Sequence, residues 1–242
     1  MEICKRTSKK RWHVYMANKK FYGIPLFYII TLVYMIITTI TGIVMNNGLI
    51  LFLGWNILLA TFVFFLSQMY VLSQKKHHSF WVGYVLFILF ILFFPNTFYL
   101  LTDTIHFQAY TFFEEYPSLY ALMIDDWMVF FIVTIGVIYG IKLGVSAIDQ
   151  MFNELYPTLK KHPYLILLGL FILSSIGIYL GRFIRLNSWN IFDIERIVFG
   201  IFDHLSFFIQ FVFLMTMIQS FSYFLFSTQG KILYNHNKES EE

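Results

Sequence analysis

Long apolar runs separated by short polar stretches dominate this chain. Six segments carry the roughly 20 consecutive apolar residues that crossing a bilayer requires. They are residues 24–45, 49–72, 80–101, 127–148, 163–181 and 199–226. The pattern predicts an all-α, polytopic membrane helix bundle of about six transmembrane helices. The predicted connections are Asn46–Gly48, Ser73–Ser79, Thr102–Asp126, Asp149–His162 and Arg182–Val198. Three parts follow along the chain: a basic segment over 1–20, a six-helix domain over 21–229 and a tail over 230–242.

Composition supports the membrane class. Of 242 residues 58% are hydrophobic and 13% charged, with a mean hydropathy of +0.67. A soluble domain carries about a quarter charged residues. Thirty Phe and sixteen Tyr suit helices packed in lipid and rimmed by interfacial aromatics. A single cysteine, Cys4, excludes an internal disulfide framework and a cysteine-based zinc site.

Charge distribution sets an orientation. The first twenty residues hold Lys5, Arg6, Lys9, Lys10, Arg11, Lys19 and Lys20. Directly before an apolar run, such a cluster reads as an anchor on anionic lipid rather than a nucleic-acid site. The run is too long for the core of a signal peptide, and no small-residue cleavage site follows it. Lys75–Lys76, Lys160–Lys161, Lys231 and Lys238 fall on the same side as this cluster, so both termini are expected to be cytoplasmic.

The candidate chemistry lies away from that side. A polar line leaves the third apolar run: Pro95, Asn96, Tyr99, Thr102, Asp103 and His106. If the helix continues past Pro95, then Asn96, Tyr99, Asp103 and His106, spaced i, i+3, i+7, i+10, share one face. Ionisable groups at membrane depth are costly and by default mark a functional site. Asp103 and His106 form a carboxylate–imidazole unit, suited to a metal half-site or to a base with its orienter. Taken alone, the pair reads more simply as a hydrogen-bonded cap at an interfacial turn.

A second cluster reads Gly177-x-Tyr179-x-Gly181-Arg182-x-x-Arg185-x-Asn187-Ser188-Trp189. Arg182 and Arg185, with Asn187 and Ser188, make an anion-binding donor set for carboxylate or phosphate. Pairing with Asp103, Asp125 or Asp126 is the structural alternative. Trp189 reads as an interfacial anchor. Third, Asp203, Ser206 and Gln210 fall on one face at the start of the last span, with His204 beside them. Fourth, Asp125 and Asp126 open the span that begins at Trp127, where acids stabilise a helix N-terminus without doing chemistry.

Taken together, Asp103, His106 and Asp126 are candidate catalytic groups, and Asn96, Tyr99 and Trp189 support them. A metal site would draw on Asp103, His106, Asp126, Asp203 and His204, a mixed set that suits zinc or manganese. No HExxH, Walker motif, GxSxG or glycine-rich phosphate loop occurs in the sequence. Asn56, Ser67 and Gln219 stand isolated in apolar runs and read as helix–helix contacts.

The stretches beginning at Pro95 and Gly177 resemble the two signatures of a bacterial multi-pass membrane family catalogued as domain of unknown function 1361. The resemblance runs from about the third span to the end. Asp126 resembles an acid at the start of that family's next span, and Gly140, Gly144 and Ser146 resemble its small-residue face. Where the family usually has Asp after the Ser-Trp pair, this chain has Asn190. The resemblance implies a bacterial plasma-membrane location and supplies no activity.

Three functions compete. The first is a membrane enzyme acting on an anionic lipid or lipid-linked envelope intermediate by acid–base or metal-assisted chemistry. The second is a binding or accessory subunit that partners other membrane proteins in an envelope or export system. The third, a small transporter or flippase, fits poorly with the sparse polarity inside the spans.

Overall fold

The computed structural model describes residues 26–75, 80–113, 120–155, 163–186 and 193–228. Helix α1 covers Leu26–Val44 and α2 covers Gly48–Lys75. Helix α3, Phe80–Phe93, is followed by the short α4, Pro95–Tyr99, and by a 3-10 helix over Leu100–Ala109. Then come α5, Ile124–Leu155; α6, Pro163–Arg182; α7, Ile194–Phe202; and α8, Leu205–Phe226. Six helical stretches are long and apolar enough to cross a membrane, with Phe80–Ala109 counting as one of them. The described residues form no strand, only an isolated bridge between Phe113 and Tyr120.

The bundle is built around α2 and α5, which share its largest helix–helix contact. Leu53, Ile57 and Phe64 of α2 meet Val129, Val133 and Leu143 of α5 in a buried core. Helix α3 packs on α2, and α6 pairs with α8. Large apolar residues such as Ile43, Phe80, Phe131 and Phe221 point outward, as lipid-facing residues do. Polar side chains inside the bundle join helices rather than line a path. Thr31 bonds Thr61 and Tyr139, and Ser175 bonds Thr216 and Gln219. Ser67 meets Gln150, so Ser67 and Gln219 make the helix–helix contacts expected of them.

Pro95 divides the third span. Proline lacks the N–H that would continue the helical ladder, and its ring crowds the preceding turn. The chain therefore stops at Phe93 and restarts as α4. Asn96 Nδ2 reaches back 2.9 Å to Phe93 O, and Thr97 Oγ1 reaches 2.8 Å to Phe94 O, so carbonyls at the break stay bonded. Redirected in this way, α4 wedges between α2, α5 and α6. Glycines admit it. A Cβ on Gly140 would stand 2.9 Å from Thr97 O, and one on Gly177 would stand 2.7 Å from Pro95 Cγ. Small residues at such crossings let backbones approach closely inside a membrane.

Other turns follow ordinary rules. Asn46 ends α1 in a left-handed conformation (φ 47°), with Asn47 N–H bonding Gly42 O at 2.8 Å. Asn47 Oδ1 then caps α2 by accepting from Leu49 N at 3.0 Å.

Three predicted boundaries need correction, the first being the connection Asp149–His162, into which α5 continues as far as Leu155. The stretch Thr102–Asp126 is not all connection, because the helix continues in 3-10 form to Ala109. The expected last span over 199–226 is two helices, α7 and α8, separated at Asp203 and His204. Asp203 caps the C-terminus of α7 and so does not share a face of α8 with Ser206 and Gln210.

Candidate functional site

The site forms where the 3-10 helix meets the end of α6. A 3-10 helix turns every three residues, so positions i and i+3 eclipse. Tyr99 and Thr102 therefore line one ridge, and Asp103 and His106 line the next. Arg182, in the last turn of α6, lies across both ridges. Its Nε donates to Thr102 Oγ1 at 2.9 Å and its Nη1 approaches His106 Nε2 at 3.4 Å. Its Nη2 forms an ion pair with Asp103 Oδ1. The guanidinium carbon sits 4.5 Å from the centre of the Tyr99 ring, in cation–π range.

Asp103 is fully buried. Its second oxygen, Oδ2, accepts a 2.9 Å hydrogen bond from Asn56 Nδ2 of α2. A buried charge is tolerated only when paired and hydrogen-bonded. Arg182 and Asn56 supply both conditions, one oxygen each. Asn56, which in sequence looks like an isolated helix–helix contact, is thus part of the site. Its signal was weak: one amide in an apolar run, beside Trp55.

In front of this buried network lies a cleft of about 400 Å³, lined by residues of α2, α3, α4, α6 and α7. Polar groups on its wall are Asn56, Asn96, Tyr99 and Arg185; Trp55 and Leu180 contribute apolar surface. Arg185 differs from Arg182. It is exposed, and no carboxylate among the described residues pairs with it. Its backbone is left-handed (φ 57°), a conformation that costs a residue with a Cβ about 1–2 kcal/mol. Leu186 N–H, bonding Leu180 O at 3.1 Å, closes the chain around it. Strain held in this way is a pointer to function.

The structure thus brings together Asn96, Tyr99, Asp103, His106, Arg182 and Arg185 from two separate sequence clusters. Other candidates stand elsewhere. Asp126 accepts the backbone N–H of Thr111 at 2.9 Å and orders the loop before α5. Asp203 and His204 are exposed at the junction of α7 and α8. Among the described residues no three His, Cys, Asp or Glu side chains stand together as a group able to hold a metal ion. The set Asp103, His106, Asp126, Asp203 and His204 is therefore not gathered into one centre. Asn187, Ser188, Trp189 and Asn190 lie outside the described residues.

All these features sit at one end of the bundle. Asn56 is near the start of α2, Arg182 ends α6, and the opposite end carries Lys75 and the end of α8.

Residues 55–222 match the family described as Protein of unknown function (DUF1361). The chain belongs to that family. The match opens at Trp55, a span earlier than the two signature stretches indicate, and so takes in Asn56. No curated protein and no solved structure matches this DUF1361 chain.

Proposed function

We propose that this DUF1361 protein binds an anionic amphiphile, a phospholipid or lipid-linked envelope intermediate, in the cleft over α4. The contrast between its two arginines carries the proposal. The charge of Arg182 is matched by Asp103 inside the bundle, whereas Arg185 lines the cleft and has no carboxylate partner among the described residues. A cation in a cleft that Asn56 and Asn96 also line, with apolar walls, suits a phosphate or carboxylate head with a hydrocarbon body. We assign the protein to the bacterial plasma membrane on its family resemblance, and place both termini in the cytoplasm on the distribution of lysine and arginine. The cleft then belongs to the extracytoplasmic end.

Binding is favoured over hydrolysis by the state of Asp103. Both of its oxygens are engaged and it is fully buried, so it positions Arg182 and is not available as a base. A binding or accessory role in an envelope or export system fits these groups. The test is the lipid that copurifies with the protein in mild detergent. Wild-type protein should retain anionic phospholipid, and Arg185→Ala should lose most of it while keeping its elution volume and helical circular dichroism. Equal retention by a well-folded Arg185→Ala variant would overturn the proposal.

A further inference from the structure

Helix α7 connects two membrane-crossing helices, so it must lie at the membrane boundary at the end of the bundle that holds the cleft. Its nine residues cover about 14 Å, less than half of a bilayer's hydrocarbon thickness, so it cannot cross. Its side chains sort into an inner face and a broader exposed one, on which charged Glu195 lies beside Phe199 and Phe202. Ile197, Gly200 and Ile201, spaced i, i+3, i+4, turn toward the bundle. Gly200 packs against Ile184 and its carbonyl accepts from Tyr179 Oη at 3.1 Å, while Arg196 bonds Ile184 O at 2.8 Å. Ile194, Val198 and Phe202, spaced i, i+4, i+8, form an outer ridge that is 42–67% exposed. Large apolar side chains left uncovered on a short helix at a bilayer boundary are the mark of an interfacial helix.

The same helix borders the cleft through Ile197. Helix α4 lies between α2 and α6, so it floors the cleft, with Phe52 and Trp55 of α2 on its wall. Phe52 and Trp55 are themselves 47% and 53% exposed on the lipid-facing surface of α2. The cleft is therefore bounded by residues that also face hydrocarbon.

We propose that α7 is embedded in the bilayer interface through Ile194, Val198 and Phe202, and that the cleft takes its anionic lipid sideways from that leaflet. This deepens the function proposed above and rests on it. The ligand is membrane-borne: its head meets Arg185 and its acyl chains stay among the lipids beside α2 and α7.

The experiment uses the full chain with Cys4 replaced by Ser, reconstituted in phosphatidylglycerol–phosphatidylcholine nanodiscs. Nitroxide labels are placed singly at Val198→Cys, Phe202→Cys and Arg196→Cys, and their collision rates with oxygen and with a water-soluble nickel chelate are compared. Labels at 198 and 202 should favour oxygen, and the label at 196 should favour nickel. A preference for nickel at all three positions would overturn the proposal. The second arm is a Val198→Asp/Phe202→Asp variant. Its retained phosphatidylglycerol should fall about ten-fold, the equivalent of losing about one buried apolar side chain. Undiminished retention would show that α7 is not part of the entry route. If Arg185→Ala loses lipid while the α7 labels read aqueous, lipid binding stands and lateral entry fails. If Arg185→Ala keeps its lipid, the binding site itself is wrong, whatever α7 does.

Discussion

Asn56 and Asp103 are 47 positions apart in the chain and joined by a 2.9 Å hydrogen bond in the bundle interior. That bond ties α2 to the 3-10 helix and leaves Asp103 with one oxygen for Arg182. Removing the amide leaves a buried carboxylate oxygen without its donor. Asn56→Ala should destabilise the protein by about 1.5–3 kcal/mol, the range for hydrogen bonds to charged groups. A thermal melt in detergent reads this directly. An unchanged melting temperature would show that the bond carries no stability.

Asp103 and Arg182 should behave as a pair. Truncating either alone strands a charge in the bundle and should cost about 3–5 kcal/mol. Asp103→Leu combined with Arg182→Leu removes both charges, so the double variant should melt above at least one of the single variants. Strict additivity of the two losses in a double-mutant cycle would refute the coupling.

The approach of α4 to α5 depends on Gly140. A Cβ there would meet the Thr97 carbonyl at 2.9 Å, and backbone cannot swing aside as a flexible side chain can. Gly140→Ala should cost about 1–3 kcal/mol through overpacking, despite alanine's better helix propensity. Gly169 has nothing within 4 Å of the same construction. Gly169→Ala should leave the melting temperature unchanged or raise it.

Arg185 should separate stability from function. Glycine adopts the left-handed backbone without penalty, so Arg185→Gly relieves about 1 kcal/mol of strain. The variant should melt at or above the wild-type temperature and yet lose anionic lipid. A variant less stable than wild type would mean that the arginine side chain is held by contacts that outweigh its backbone cost.

Much of this arrangement was legible in the residues, and the failures have physical causes. Six spans follow from length and hydropathy, because lipid demands long apolar helices. The polar line after Pro95 stood out because Asp103 and His106 are costly at that depth. Their spacing also suits a 3-10 helix, but periodicity read at 3.6 residues per turn does not reveal the tighter form. The junction at Asp203 and His204 was hidden inside an apolar stretch that looked continuous from Phe199 to Phe226. The five metal candidates do not group among the described residues, because they were linked by membrane depth alone, and groups at one depth need not share one side of a bundle. Asn56 escaped because partnership across helices leaves no spacing in the chain.

In the proposed function Arg185 holds an anionic lipid head in the cleft over α4. Titration of delipidated protein with phosphatidylglycerol and with phosphatidylcholine, followed by native mass spectrometry, tests it most directly. Wild type should bind the anionic lipid at least about ten-fold more tightly, a difference of about 1.4 kcal/mol, within the range of a charge-assisted hydrogen bond. Arg185→Ala should bind the two lipids alike, and Arg185→Lys should keep part of the preference. A preference for phosphatidylglycerol that survives intact in Arg185→Ala would show that Arg185 does not hold the lipid head.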